Sequence, residues 1–440
     1  MKIKLLTLII FLFSTAGILN SQSLNLRFST YFYGWQRADT ITASGSEGKT
    51  THMRGYQNLL LNVNKDQWSF NTLVQTEEDV LNKIGDGFNY RMYNLYVKGS
   101  NLFNALDLKL GRQYVYAGVG KGPVDGLYFK VKAGKNKEYQ IAGFGGVLTP
   151  YDYSFKNYPD LKDNYLAGGQ FSYYGVRDLF AGLSYMNKRR QLPSYYAMRI
   201  DTAFNSYEVL VEPDSRAEQL AGLDFNYTYM LVHNFYGKAY FDINRLKLYR
   251  GEFNARFKAA DNFHVSAGYT YREPQLSYNT IFWVFEHKQT NEIEGGADYT
   301  LKNGINLYAR VSDVIYSNTD DNSLKNNSLK LNVGFSHPSY GLSFVKYTGY
   351  AGESDGVSGY FQRELIKPIL TVTASAGYSS YYLGEFESDR VNTFSGLVGF
   401  TYRPTPQFSV DAQGQFMFNR IYKLDSRFLI GVNYWLFKKF

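Results

Sequence analysis

Apolar and polar residues alternate one by one along most of this chain. At 427–440, RFLIGVNYWLFKKF, the even positions carry Phe428, Ile430, Val432, Tyr434 and Leu436, and the positions between include Arg427, Gly431 and Asn433. In NFHVSAGYTYRE, Phe263, Val265, Ala267, Tyr269 and Tyr271 alternate with His264, Ser266, Gly268, Thr270 and Arg272. EIEGGADYTL sets Ile293, Ala297, Tyr299 and Leu301 against Glu292, Glu294, Asp298 and Thr300, and SLKLNVGFS and FSVDAQGQFMF repeat the scheme. A period of two means strands with two unlike faces. The apolar faces end in Tyr and Phe and the polar faces hold charges at mid-strand. That pattern predicts a membrane barrel with lipid outside and a polar lumen inside, not a sandwich with water outside.

The pattern predicts strands near 23–36, 53–64, 67–77, 88–99, 105–116, 124–133, 137–148, 165–174, 178–189, 217–229 and 232–243. The second half adds 246–258, 262–273, 289–301, 305–317, 326–337, 341–350, 355–365, 368–382, 390–403, 407–419 and 426–438. Connections after the even members of this series are short, such as KDQ, GVR, AADN and KNG. Those after the odd members are mostly long, such as 37–52, 149–163, 190–216 and 274–288. Short turns at one end and longer loops at the other are the habit of bacterial barrels. The fold class is therefore all-β: an antiparallel up-and-down transmembrane barrel of about 22 strands, with 18–20 as alternative parses. Both termini lie on the short-turn side, and the last strand closes against LNLRFSTYFYGW because an open edge cannot exist in lipid.

Composition changes the picture in three places. With 41 Tyr, 33 Phe and 40 Gly but 4 Trp, 10 Pro and no Cys in 440 residues, and a mean hydropathy of -0.35, the chain uses strand-and-turn residues and no disulfides. The formal net charge of +8 comes from Lys and Arg scattered singly, without the basic cluster of a nucleic-acid patch, so no nucleic acid is expected. The start, MKIKLLTLIIFLFSTAG, places Lys2 and Lys4 before an apolar run from Leu5 to Phe13, too short for a spanning helix of about 20 residues. It predicts a signal peptide over 1–21 and one barrel domain over 22–440. A plugged receptor would need a folded N-terminal plug before the first strand, and none is expected here.

The candidate chemistry is thin. None of His52, His233, His264, His287 and His337 sits in a recognisable Ser or Asp constellation, so no catalytic residue, metal ligand or cofactor is expected. His264 reads as a satisfied structural histidine on the lumen face. The inward positions on 232–317 include Lys238, Asp242, Arg250, Glu252, Arg256, Asp298 and Arg310. They form either an electrostatic ladder for solutes or a set of mutually neutralising pairs. Glu292 and Glu294 read as less paired. On 232–258, Phe235, Ala239, Phe241, Tyr249, Phe253 and Phe257 should face lipid. This demands an odd loop length and sets Lys238 opposite Glu252 in a three-residue loop, or Asp242 opposite Arg250 in a five-residue loop. The longest connection, 190–216, is the best candidate for folding inward to narrow the pore; the alternative is a surface loop that extends the wall above the membrane.

One hairpin carries a resemblance. LKLGRQYVYAGVGKGPVDGLYF, residues 108–129, places Gly111-Arg112-Gln113 on one strand and Asp125-Gly126 on the next. This is similar to the GRQ…DG hairpin of alginate-export-type substrate-selective porins. The resemblance implies that Arg112 and Asp125 help to line a constriction for anionic or sugar-like solutes; the alternative is that the two neutralise each other. Strict alternation puts Arg112 on the outward face, so a bulge at Gly111 is expected to turn it inward. The strand ending at Phe440 also resembles the signal recognised by outer-membrane assembly machinery, with Lys438 a departure. The expected partners are outer-membrane lipid, that machinery and a small hydrophilic solute. The expected role is a porin-like channel, with a scaffold or assembly barrel that binds a partner protein as the alternative.

Overall fold

The computed structural model describes residues 22–39, 50–82, 84, 87–156, 158–200, 202, 204–213, 215–274, 289–317, 326–350, 352–382, 390–420 and 422–440. The predicted signal peptide and His287 lie outside the described residues. Strands are the regular elements throughout: β1 (Ser23–Asp39), β2 (Thr50–Lys65), β3 (Trp68–Leu81), β4 (Asn89–Leu102), β5 (Leu106–Ala117), β6 (Gly120–Ala133), β7 (Tyr139–Leu148), β8 (Asn164–Tyr173), β9 (Leu179–Arg190), β10 (Tyr195–Ile200), β11 (Ser206–Val211) and β12 (Glu218–Tyr229). The series continues with β13 (His233–Asp242), β14 (Lys247–Ala260), β15 (Phe263–Arg272), β16 (Gln289–Thr300), β17 (Asn306–Ser317), β18 (Asn326–His337), β19 (Tyr340–Gly349), β20 (Ser354–Ile366), β21 (Leu370–Tyr381), β22 (Val391–Thr405), β23 (Phe408–Phe418) and β24 (Tyr422–Lys439).

All but β10 and β11 belong to one 22-stranded antiparallel sheet in which β9 pairs with β12 and β1 pairs with β24, so the sheet closes on itself. At the closure Leu26 lies opposite Leu436 and Phe28 opposite Tyr434, and the Phe440 N–H donates to the Gln22 carbonyl at 3.3 Å. The connections at the end holding residues 22 and 440 run from 66–67 to 406–407 and are all two to five residues long. The strand count, the closure and the short-turn end agree with the sequence reading.

Opposed residues of paired strands share a face, so the register carries one inner and one outer set around the ring. The outer set leaves large side chains uncovered: Phe428, Ile430, Val432 and Tyr434 on β24, and Phe253 and Phe257 on β14. The inner set is polar and bonded. At the closure, Ser29 and Tyr31 donate to Asn433 Oδ1 at 2.7 and 2.8 Å, and Asn433 Nδ2 donates to Asp411 at 2.8 Å.

One expectation about strand detail needs correction. The β13–β14 loop is four residues long, not odd. A bulge between Tyr240 and Phe241 absorbs the difference, pairing Phe241 with Leu248 and Asp242 with Lys247, while Lys238 still faces Glu252 and Tyr240 faces Arg250. The extra residue is Tyr249, which does not face lipid but packs inside against Tyr240, with ring centroids 6.0 Å apart. The connection 190–216 stands outside the closed ring of strands. It forms a separate hairpin, β10–β11, on which Tyr195, Tyr196, Met198, Ile200 and Phe204 are all exposed.

Candidate functional site: a ribbon folded into the lumen

The narrowing comes from β5 and β6. These strands pair with each other to their tip, where Ala117 faces Gly120. The wall does not follow them. β4 pairs with β5 only as far as Arg112, and β7 pairs with β6 only as far as Val124. Residues 113–123 are therefore a two-stranded ribbon without a strand beside it, tied at its base where the Thr149 N–H donates to the Pro123 carbonyl at 3.2 Å. Pro123, which has no N–H to give a neighbour, is tolerated on such an edge.

The ribbon turns inward. Val115, Ala117, Val119 and Val124 form a buried cluster with Phe144 and Leu148 on β7, Leu166 on β8, Met186 on β9 and Leu220 on β12. Of these strands β7 adjoins β6, but β8, β9 and β12 pair with neither ribbon strand, so the contact crosses the interior. The Val119 N–H donates to Ser184 Oγ on β9 at 3.0 Å. Gly222 on β12 makes room: a Cβ there would meet Val119 Cγ1 and come within 2.8 Å of Ser184 Oγ. Gly118, at φ +59, supplies the left-handed turn at the tip. Burying the two valines Val115 and Val119 contributes about 1.5–3 kcal/mol each. The face turned away from this cluster carries Tyr114 and Tyr116, which are 55% and 80% exposed, and the exposed Lys121 opposite Tyr116.

Arg112 and Asp125 sit where the ribbon leaves the wall. They lie directly opposite each other, and the guanidinium holds the carboxylate with two bonds, Nε to Oδ1 at 2.7 Å and Nη2 to Oδ2 at 2.8 Å. No bulge forms at Gly111. The register runs through it unbroken, with Tyr96 on one side and Gly126 on the other, so Arg112 keeps its outward parity. It is nevertheless only 2% exposed, because the loop 149–163 covers it. Arg112 donates to the carbonyls of Tyr153 at 2.6 Å, Ser154 at 3.3 Å and Met92 at 3.2 Å, and its guanidinium lies 4.0 Å from the Phe155 ring centre. The Met92 N–H donates to the Tyr153 carbonyl at 3.1 Å, so the loop takes the place on β4 that β5 vacated. Gly111 itself is needed for another reason: its φ is +122 and a Cβ would collide with the Leu95 carbonyl. Tyr158 closes the group by donating to Asp125. Burial, and then that hydrogen bond, push the Tyr158 phenol up to about 12, so it keeps its proton and remains a donor. The pair thus corresponds to the mutual-neutralisation alternative, as a latch at the base of the ribbon.

The other singled-out charges lie on the inner face. Lys238 bonds Glu252 at 2.7 Å, and Arg250 bonds the same carboxylate at 2.5 Å. Arg310 reaches Asp298 at 3.3 Å, and Ser312 donates to Glu294 at 3.0 Å. Asp242 accepts from the Arg245 N–H at 3.1 Å, and Arg256 shares its register position with Asn234 and Ser266. His264 lies on the same face, opposite Asp298. These residues form a bonded stripe along β13–β17, separate from the ribbon base. Among the described residues no three His, Asp, Glu or Cys side chains converge as metal ligands.

Two cavities stand out among the described residues. One, of about 600 Å³, lies at the long-loop end above the ribbon and is lined by Tyr114, Lys121, Tyr151, Arg190, Arg216 and Arg245 among others. The second, of about 550 Å³, runs along the opposite wall past Ser343, Ser358, Ser375, Ser395 and Gln415. The ribbon was not named in the sequence reading, although a signal existed. Val115, Val124, Leu148, Leu166, Met186 and Leu220 form a run of apolar residues at inner positions, where most of the lumen face is polar.

No protein-family model matches the chain, and no curated protein does. Among solved structures it is similar to OccAB2 of Acinetobacter baumannii, at 8% identity and TM-score 0.46 over 95% of this chain and 98% of that one. It is also similar to the translocation pore of the P pilus usher PapC, at 8% identity and TM-score 0.45 over 94% and 99%. OccK2 (OpdF) of Pseudomonas aeruginosa in complex with glucuronate is similar at 9% identity and TM-score 0.41 over 94% and 98%.

Proposed function

We propose that the chain is a bacterial outer-membrane channel for small hydrophilic solutes, narrowed by the ribbon 113–123. The observation that carries this reading is the closed barrel whose interior is polar and only partly filled. The ribbon occupies the side of β7–β12, while the opposite wall remains lined by small hydroxyl side chains around a cavity of about 550 Å³. A 22-stranded wall is wide enough to need such a filling. The uncovered aromatic and aliphatic outer face supports lipid as the surrounding medium, because in water it would be an aggregation surface. Outward Lys438 fits the water–lipid boundary, with its ammonium 4.8 Å from the Phe440 ring centre. On this reading residues 1–21 are the export signal, and the strand ending at Phe440 is the segment that assembly machinery recognises.

The test is swelling of liposomes carrying the purified protein in isotonic solutions of neutral sugars of increasing size. Fast swelling with the smallest sugars and a sharp cut-off support the channel; no swelling at any size sinks it. The exposed apolar hairpin β10–β11 is the one feature that favours the second reading, a barrel that binds a partner protein. A barrel that captures a partner and passes no sugar would bear that out.

A further inference from the structure

The inner face beneath the ribbon carries an unusual group of charges. Lys98 on β4 lies directly opposite Lys109 on β5, and Lys130 on β6 lies opposite Asp107, two residues along β5 from Lys109. All three lysines share the inner face, between the ribbon base and the short-turn end. Like charges directly opposed on a sheet destabilise it, so this arrangement costs the barrel something unless anions relieve it. Local carboxylates do not. Asp107 is the acidic residue of this patch, and it is committed to Lys132 at 2.6 Å and to the Asn101 N–H at 2.8 Å. The inner positions of the flanking strands are neutral: Ser69 and Asn71 on β3, and Gln140 and Ala142 on β7. Among the described residues none of the three lysines has a carboxylate within ion-pair distance. Lys109 is instead steadied by two ring faces, its ammonium 5.6 Å from the centre of Tyr96 and 5.2 Å from that of Tyr128, which fix its place without cancelling its charge.

On the other side of the ribbon the cavity lining sets Lys121, Lys188, Arg190, Arg216 and Arg245 against the carboxylates Glu218 and Asp242. In the cavity of about 600 Å³, Lys121 and Arg216 have no carboxylate partner among the described residues. Arg190 is held by the Thr149 carbonyl at 3.1 Å and by the Tyr151 ring at 4.3 Å, again without neutralisation. On the stripe along β13–β17 carboxylates do reach the cations: Lys238 and Arg250 share Glu252 and Arg310 is held by Asp298, while Arg256 faces Asn234 and Ser266. Uncompensated cations therefore gather above and below the narrowing, on the wall that carries it. A low-dielectric wall strengthens their field on a passing solute.

Building on the channel reading, we propose that the pore is selective for small anions, carboxylates and phosphates, and that Lys98, Lys109 and Lys130 form the binding step on the inner side of the ribbon. A solute enters the cavity at Lys121, Arg190 and Arg216, passes the ribbon, and is received by the lysine group. Rings of Lys and Arg select anions in pores by this means.

The experiment is the reversal potential of the purified protein in a planar bilayer, under a tenfold KCl gradient, with inorganic phosphate as a second probe. The wild type should show a chloride-over-potassium preference, and millimolar phosphate should reduce the chloride current. The K98Q/K109Q/K130Q variant should lose most of that preference, at least several-fold in the permeability ratio, and become insensitive to phosphate. Lys98→Gln alone, which leaves the Tyr96–Lys109–Tyr128 packing in place, should give an intermediate value and guards against misfolding of the triple variant. A cation-preferring or unselective wild type overturns the inference while leaving the channel intact, as does a folded triple variant with unchanged selectivity. A wild type without conductance removes the channel reading and this inference with it.

Discussion

Asp125→Asn isolates what the latch does. In the wild type the Arg112 guanidinium is almost fully buried and makes two charge-assisted bonds to Asp125, three bonds to backbone carbonyls and a stacking contact with Phe155. The substitution keeps the shape and removes the countercharge. An uncompensated buried charge of this kind costs about 3–5 kcal/mol, which is roughly 10²- to 10⁴-fold in the equilibrium between latched and released forms. The burial of Val115 and Val119, about 3–6 kcal/mol together, opposes release of the tip. The two magnitudes are comparable, so Asp125→Asn should populate a released ribbon without unfolding the barrel. Single-channel recording should then show a noisy, frequently larger open level, and trypsin should cut after Lys121, which the paired ribbon protects. The R112M/D125L double variant removes both charges at once and should be milder than Asp125→Asn. A quiet, wild-type conductance and full trypsin resistance in Asp125→Asn would refute the latch.

Two further substitutions probe other contacts. Gly222→Val places methyl groups where Val119 packs, at an overpacking cost of about 1–3 kcal/mol, and should displace the ribbon and raise mean conductance while the barrel stays folded by its heat-modifiable gel mobility. Deleting 192–213, which removes the exposed hairpin β10–β11, should leave conductance near the wild-type level if the ribbon 113–123 sets the narrowing; an increase would restore this connection as the constriction.

The barrel was readable because its rule is simple. One face must tolerate lipid and the other must not, and in a strand that rule repeats every two residues, so Phe428 to Leu436 and Phe263 to Tyr271 declare their faces without any tertiary information. Closure followed from the same physics. The failures came where parity is broken or where distant strands meet. Tyr249 follows Leu248, two apolar neighbours in a row, and nothing local says which of them takes the bulge. Arg112 was read with the correct parity, but an outward arginine suggested a bulge. The actual remedy, carbonyls from a loop about forty residues later in the chain, has no local signature. The stretch AGVGKGP reads as a glycine-rich turn, whereas β6 begins at Gly120 and the ribbon continues through it. Its destination is set by apolar lumen positions on β7, β8, β9 and β12, which matter only once the ring is closed.

The central claim is that a closed, water-filled barrel is narrowed by residues 113–123. Its most direct test compares single-channel conductance of the wild type with a variant in which Tyr114–Pro123 is replaced by a short Gly-Ser turn. Both proteins should give discrete openings, and the variant's unit conductance should be several-fold larger, with neutral sugars of greater size admitted. Equal conductance in a folded variant, or no openings in either protein, would contradict the account.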